Sequence, residues 1–211
     1  MPAFSSHTLS SHIYLASTSP RRRDLLRQIG VKFDVLVFRS GERGIDADVD
    51  ETPEPDEPAD RYVQRLALTK ASAGVRRLFW RKLPRQPVLA ADTAIELDNE
   101  IIGKPSDAED ARDILLRLSG RSHRVLTAVA VSDGERIRCR LSTSTVQFRP
   151  LSESDINRYI ATGEPMDKAG AYGIQGHAAT FIEEIRGSCS GIMGLPLFET
   201  AALLEVFGYP L

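Results

Sequence analysis

Ile13-Tyr14-Leu15-Ala16-Ser17-Thr18-Ser19-Pro20-Arg21-Arg22-Arg23-Asp24-Leu25-Leu26 carries a change of structure within one short stretch. Its apolar start predicts a strand that stops at three small hydroxyl residues. Pro20 suits the first turn of a helix, with Ser19 as N-cap. Leu25, Leu26 and Ile29 give that helix an apolar stripe, and Gly30 gives it a stop. Three consecutive arginines then stand at the positive end of the helix dipole, where cations are mildly destabilising. Free backbone N–H groups, hydroxyls and guanidinium forks together describe a phosphate site. A solvated basic turn fits this stretch equally well.

Working outward, Val31–Phe38 alternates Val31, Phe33, Val35 and Val37 and reads as a second strand. Ser40–Asp60 reads as a long exposed acidic loop, with three prolines and Asp46, Asp48, Asp50, Glu51, Glu54, Asp56, Glu57 and Asp60. Helical spacing runs from Tyr62 through Val63, Leu66, Val75 and Leu78 to Phe79, ending by Pro84. Val88–Ala91 reads as a short buried strand with Asp92-Thr93 at its C-terminal end. A hairpin follows, Ile95 to Leu97 and Ile101-Ile102 about Asp98-Asn99. Ser106 and Glu109 form an expected capping box opening a helix that stops at Gly120. Val125–Val131 and Ile137–Phe148 read as strands joined at Asp133-Gly134, and Ser152–Asp155 opens another helix closed by Gly163. Met166–Gly176 and Gly187–Pro196 are expected loops, Thr180–Ile185 a strand, and Leu197–Phe207 a last helix. Strands and helices without strict alternation predict an α/β fold with a mixed twisted sheet flanked by helices, as one unit over 1–211. Residues 1–12 are an expected flexible lead-in.

Bulk properties exclude several classes. The 211 residues are 42% hydrophobic and 27% charged, ordinary for a globular protein with a sizeable core. A net charge of −2 gives no global attraction to nucleic acid or anionic membrane, so an anion site must be local. Cys139 and Cys189 have no metal-type spacing and read as small, buried, reduced residues; His7, His12, His123 and His177 form no ligand pair. No apolar run reaches membrane-spanning length, and Met1–Ser11 lacks the apolar core of a signal peptide. The expected compartment is the cytoplasm.

Five places could carry chemistry. The arginine turn is the first. Asp92 is a carboxylate able to hold a divalent cation or act as a base, or else an Asx-turn cap. Lys104 lies between Gly103 and Pro105, which fix the backbone beside it; a solvated loop lysine is the plainer account. Lys70 sits four residues after Leu66 on an otherwise apolar helix face, where it either snorkels or points into a cleft. In Ala169-Gly170-Ala171-Tyr172-Gly173-Ile174-Gln175-Gly176 the glycines allow close backbone approach to a ligand. Gln175 offers an amide donor and acceptor that complement a uracil or thymine edge.

Taken together, Ser17-Thr18-Ser19-Pro20-Arg21-Arg22, Asp50-Glu51, Leu66…Lys70-Ala71, Ala91-Asp92-Thr93, Gly103-Lys104-Pro105, Leu118-Ser119-Gly120-Arg121, Asp167–Gly176 and Gly194-Leu195-Pro196-Leu197 resemble, in content and order, the Maf family of nucleoside triphosphate pyrophosphatases, also discussed as septum-formation inhibitors. The resemblance spans roughly Ile13 to Phe207. It implies hydrolysis of a nucleoside triphosphate between the α and β phosphates, a divalent cation (Mg²⁺ or Mn²⁺), and an ITPase-like mixed sheet with a central cleft. Asp167–Gly176 resembles the branch acting on dTTP and UTP. Asp92 falls on the family's catalytic carboxylate, and Arg21, Thr93 and Gln175 on its specificity residues. Ser17, Ser19, Arg22, Lys70 and Lys104 are then expected around the substrate, with Glu51 and Asp92 as metal ligands. A homodimer is also compatible with the resemblance. The acidic loop is longer than usual for the family, which bears on Glu51; the segment around Ser190 is spelled differently, and Ala90 replaces a usual glycine. Two other functions remain in view: a division regulator acting by partner binding, and a pyrophosphatase for 7-methyl-GTP or another modified nucleotide.

Overall fold

The computed structural model describes residues 12–37, 49–209 and 211; residues 1–11 of the expected lead-in and 40–48 of the acidic loop lie outside them. Strands β1 (Ile13–Leu15), β2 (Phe33–Val35), β3 (Val88–Leu97), β4 (Glu100–Ile102), β5 (Ser122–Ser132), β6 (Ile137–Phe148) and β7 (Ile182–Arg186) form one sheet. Its order is β2-β1-β3-β5-β6-β7, with β4 on β3. Strands β1, β2 and β3 pair in parallel and every other pairing is antiparallel, so the sheet is mixed. The helices are α1 (Pro20–Gln28), α2 (Ala59–Trp80), α3 (Ala108–Leu118), α4 (Glu153–Ile160), α5 (Cys189–Ile192) and α6 (Leu197–Val206).

The alternation along β3 sets the layers. Leu89 and Ala91 face one way and pack with Leu25, Leu26, Leu203 and Leu204 of α1 and α6. Ile95 and Leu97 lie farther along the same face and pack with Ile114, Leu115, Leu118 and Ile156 of α3 and α4. Val88, Ala90 and Ala94 face the opposite way, toward Val63, Ala67, Ala71 and Leu78 of α2. That second face is built from small residues, with Ala16, Ala128 and Ala130 completing it, so α2 lies close on the sheet. Gly74 shows how close: a Cβ there would fall 2.6 Å from Val88 Cγ1. A mid-helix glycine costs up to about 1 kcal/mol relative to alanine, and this approach explains its presence.

Several boundaries differ from the sequence reading, each for a physical reason. Only Phe33–Val35 of the expected second strand pairs with β1; Val37 is exposed and Phe38 lies outside the described residues. The expected short strand and hairpin arm merge into the single β3, because β5 pairs with it continuously from Val88 to Glu96. Asp92 and Thr93 are therefore inside a strand, not at its end. The cap of α3 is Asp107, whose Oδ1 accepts from Glu109 N and Asp110 N at 2.9 Å, one residue after the expected Ser106. The box at Ser152 and Asp155 forms as its spacing predicts. The stretch His177–Phe181 is a 3₁₀ turn that delays β7 to Ile182, and α5 interrupts the expected Gly187–Pro196 loop. Cys139 and Cys189 are both free, but neither is buried as expected: Cys139 is half-buried and Cys189 exposed. Among the described residues no helix is long and apolar enough to cross a membrane.

His123 is buried edge-on to Phe148 and Tyr172, with Nε2 2.7 Å from the Tyr172 hydroxyl and Nδ1 buried without a partner among the described residues. Burial lowers its pKa from 6.5 to about 4. Between those values the unfolded chain binds a proton that the folded chain does not, so stability falls as pH drops through this window. The full effect is roughly 3 kcal/mol by linkage. Urea midpoints measured from pH 7 to pH 4 should therefore decline less steeply in His123→Leu than in the wild type; equal slopes would contradict a buried neutral imidazole.

Candidate active site

The site is organised by a gap in the sheet. On one edge of β3, β1 pairs only as far as Leu89 and β4 begins at Ile95. Among the described residues no strand covers Ala90–Ala94 on that edge, while β5 holds the other edge throughout. Strand β1 leaves through Ala16–Ser19 into α1, and β4 leaves in the opposite sense through Gly103–Pro105. Because β1 is parallel and β4 antiparallel to β3, their C-terminal ends face one another across Ala90–Ala94 and turn off the sheet there, which leaves a crevice. Asp92 and Thr93 lie in it on opposite faces of one strand.

On the α2 side, Lys70 Nζ lies 2.7 Å from Asp92 Oδ1 and 2.6 Å from Glu51 Oε1. Val63, Ala67, Lys70, Ala71 and Gly74 recur at helical spacing on one face, so the close approach at Gly74 presses Lys70 against the sheet one turn earlier. The lysine and aspartate side chains are 13% and 11% exposed, which makes this a largely desolvated ion pair with a second carboxylate at its rim. Burial raises the Glu51 pKa, but Lys70, Lys104 and Arg22 together outweigh it and the carboxyl titrates below its ordinary 4.5. The Tyr62 hydroxyl donates to the Glu51 carbonyl at 2.9 Å. Burial first, then Asp92 and Glu51, push the Tyr62 pKa up to about 12, so the phenol stays protonated.

On the other side, α1 begins at Pro20 with Ser19 at the N-cap position, but no side chain caps it. The expected Ser19 cap bond is absent; Ser17 Oγ instead accepts from Ser19 N at 3.2 Å. Arg22 Nε donates to the Gly194 carbonyl at 2.8 Å, Nη1 to Ser17 Oγ at 3.3 Å and Nη2 to Thr93 Oγ1 at 3.3 Å. These bonds hold the guanidinium and leave one further N–H on each terminal nitrogen. Burial, with Arg21 adding to it, pulls the Arg22 pKa down against the opposing pull of Asp92 and Glu51. Desolvation raises the Asp167 pKa, but Lys168, with a smaller contribution from the half-buried Arg21, outweighs it and holds the carboxyl below its usual range. Charge therefore reaches across the crevice to the Asp167–Gly176 segment.

Lys104 is exposed at the rim, near enough to act on Glu51. Gln175 is also exposed, on a segment braced from beneath. Glu164 accepts from the Tyr159 hydroxyl at 3.0 Å and from His177 N at 3.1 Å, and a Cβ at Gly176 would overlap its carboxylate. Ser190 faces inward, accepting from Leu197 N at 3.0 Å, and so holds the hook before α6. The structure thus brings Glu51, Lys70 and Asp92 into direct contact, and likewise Ser17, Arg22 and Thr93, with Arg21 beside Arg22 and Lys104 near Glu51; Gln175 stands exposed and hydrogen-bonds to none of them. Tyr62, Thr127 and the Gly194 carbonyl were missed by sequence reasoning. Thr127 had left a signal as the sole polar residue in Val125–Val131.

No cluster of three or more His, Cys, Asp or Glu side chains suited to a metal occurs among the described residues. Glu51 and Asp92 do converge, since both reach the same ammonium. Replacing Lys70 by methionine should raise the Glu51 pKa, because burial is then opposed only by Lys104 and Arg22. In the wild type the depressed carboxyl adds stability above its unfolded pKa, lost as pH falls through the folded value; Lys70→Met should weaken or reverse that contribution. A carboxyl NMR titration checks this, and a Glu51 still titrating as low as in the wild type would contradict the pairing.

The pattern of the family described as Maf-like protein matches residues 12–207. A dTTP/UTP pyrophosphatase of Aromatoleum aromaticum is 71% identical over 203 residues, covering 96% of this chain and 98% of its own. One of Dechloromonas aromatica is 53% identical over 197 residues, covering 93% and 98%. Among solved structures, the Staphylococcus aureus Ham1 protein superposes with a TM-score of 0.52 at 16% identity, covering 92% of this chain and 98% of its own, a likeness of fold. The chain belongs to the Maf family.

Proposed function

We propose that the chain is a nucleoside triphosphate pyrophosphatase acting on dTTP and UTP, releasing the nucleoside monophosphate and pyrophosphate. The observation that carries this reading is the crevice on β3, where consecutive residues join a lysine–dicarboxylate cluster to a half-buried arginine. The names of the relatives, dTTP/UTP pyrophosphatase, point to the same reaction. A triphosphate carries several negative charges, and Arg21, Arg22, Lys70 and Lys104 surround the crevice with cations able to neutralise them and the departing pyrophosphate. Arg22 offers its two remaining N–H groups from a fixed position, so little reorganisation is needed as charge develops. Asp92 is held through Oδ1 by Lys70, and its Oδ2 is available to orient the attacking water and take its proton. Gln175 is the group suited to read the carbonyl and N–H of a uracil or thymine edge.

A divalent cation fits the donor set. Glu51 and Asp92 are hard oxygen donors drawn together by the Lys70 ammonium, which takes one oxygen of each, and Mg²⁺ or Mn²⁺ would use the oxygens that Lys70 leaves, since such ions typically take one or two carboxylates together with substrate phosphates. Bound there, it would neutralise phosphate charge as a Lewis acid.

The test is pyrophosphate release from a panel of canonical and modified nucleoside triphosphates, with and without Mg²⁺ or Mn²⁺. Cleavage should concentrate on dTTP and UTP. Asp92→Asn should fold yet lose about 10²-fold or more of turnover, in the range of a lost general base. Gln175→Ala should blur base choice more than it slows catalysis. Near-normal turnover by Asp92→Asn would remove that carboxylate from the mechanism. Unchanged relative rates in Gln175→Ala would remove the amide from base reading, and cleavage of purines alone would overturn the substrate.

A further inference from the structure

Thr127 is 1% exposed, and its hydroxyl donates to the Gly191 carbonyl at 2.8 Å. A hydroxyl has one proton and a carbonyl only accepts. The 2.9 Å contact between Thr93 Oγ1 and Thr127 Oγ1 must therefore be made by the proton of Thr93. Arg22 Nη2, which can only donate, meets the same Thr93 oxygen at 3.3 Å. The direction of the whole chain is thus fixed: Arg22 N–H to Thr93 oxygen, Thr93 O–H to Thr127 oxygen, Thr127 O–H to the Gly191 carbonyl. Thr93 keeps one acceptor lone pair and no proton for a ligand.

The far end of the chain is anchored. Ser188 Oγ accepts from Gly191 N at 2.9 Å and Ser144 Oγ from Ser188 N at 2.9 Å. A Cβ on Gly191 would lie 3.1 Å from Ser188 Cβ and 3.2 Å from Ser142 Oγ, so the Gly191 carbonyl is packed in place. Thr93 and Thr127 are directly opposite on β3 and β5, which sets the first link of the relay by register alone.

We propose that Thr127 is a positioning residue that makes Thr93 an obligate acceptor, so that the crevice demands a hydrogen-bond donor from the nucleoside half of the substrate at this point. The inference rests on the pyrophosphatase reading and extends it. Ionised phosphate oxygens only accept, so they are turned away from Thr93 toward the cations. Two donors are common to dTTP and UTP: the imide N3–H of the base and the 3′-hydroxyl of the sugar. The same polarity disfavours a nucleotide that presents an acceptor there, because a buried acceptor would face another acceptor.

The experiment measures kcat/KM for UTP, for CTP, whose N3 is an acceptor in place of the N–H, and for 3′-O-methyl-UTP, whose 3′ oxygen can only accept, with the full chain as wild type, Thr127→Ser and Thr127→Val, folding being checked by thermal unfolding. The wild type should disfavour one analogue by roughly 10-fold or more, and the analogue affected names the donor. Thr127→Ser, which keeps the relay, should retain that penalty. Thr127→Val frees the Thr93 proton to turn toward the ligand and should shrink the penalty while UTP is still cleaved; a side chain acting only as packing would leave the ratio unmoved. Thr93→Val provides a second route should Thr127→Val fail to fold, since UTP should then fall to the rate of the disfavoured analogue. Wild-type protein that cleaves UTP and both analogues alike would overturn the inference, as would a folded Thr127→Val with the penalty intact. A wild type that cleaves no nucleoside triphosphate would instead fail the pyrophosphatase reading, and the inference with it.

Discussion

An ammonium held between two carboxylates is the constraint on which the site depends. Lys70 lies within 2.7 Å of both Glu51 and Asp92 in a place with little water. A charge withdrawn from water costs several kcal/mol unless it is paired, so none of the three can occupy this position alone. Their pairing ties α2 to the middle strand and to the segment leading into α2. The alanine-rich face of α2, with Gly74 in contact with Val88, is what lets the helix come near enough for the lysine to reach.

The sheet supplies the second half of the design. Apolar side chains cover one face of β3 and β5 in two separate clusters, under α1 and α6 and under α3 and α4. Between them run Thr93, Thr127 and Ser142, opposite one another on three neighbouring strands, a row of hydroxyls where the core is interrupted. The strand edge is bare over the same residues, because β1 stops short and β4 starts late. A bare edge and a polar row at one level open the sheet to a ligand, and Asp92 with Thr93 places one polar group on each face. The arginine turn and the Gly194 carbonyl close the crevice from the α1 side.

Most of the elements were legible in the sequence because their apolar periods and stop signals are local: the strand before Ser17, Pro20 at the head of α1, the box at Ser152. The length of β3 was not, since Asp92 and Thr93 look like a turn until β5 is seen pairing across them. The cap of α3 moved to Asp107 because Ser106 and Asp107 are adjacent residues that can both cap the helix start, and only the observed backbone decides between them. The cations and carboxylates of the site were legible as types, and the family resemblance arranged them. Their mutual contacts were not, for Lys70 and Asp92 meet only because α2 lies so close to the sheet. Thr127 was hidden for a different reason. One hydroxyl in an apolar strand is common, and its significance comes from Thr93 opposite it and Gly191 above it.

The most direct test is a crystal structure of the protein with α,β-imido-dUTP, an analogue whose scissile bridge resists hydrolysis. The triphosphate should lie in the gap along Ala90–Ala94, between Arg22 on one side and Lys70 with Lys104 on the other, with the pyrimidine toward Gln175. Nucleotide density elsewhere, such as over the groove lined by Ser122, Thr145 and Arg186 on the outer strands, with the gap left empty, would contradict the account.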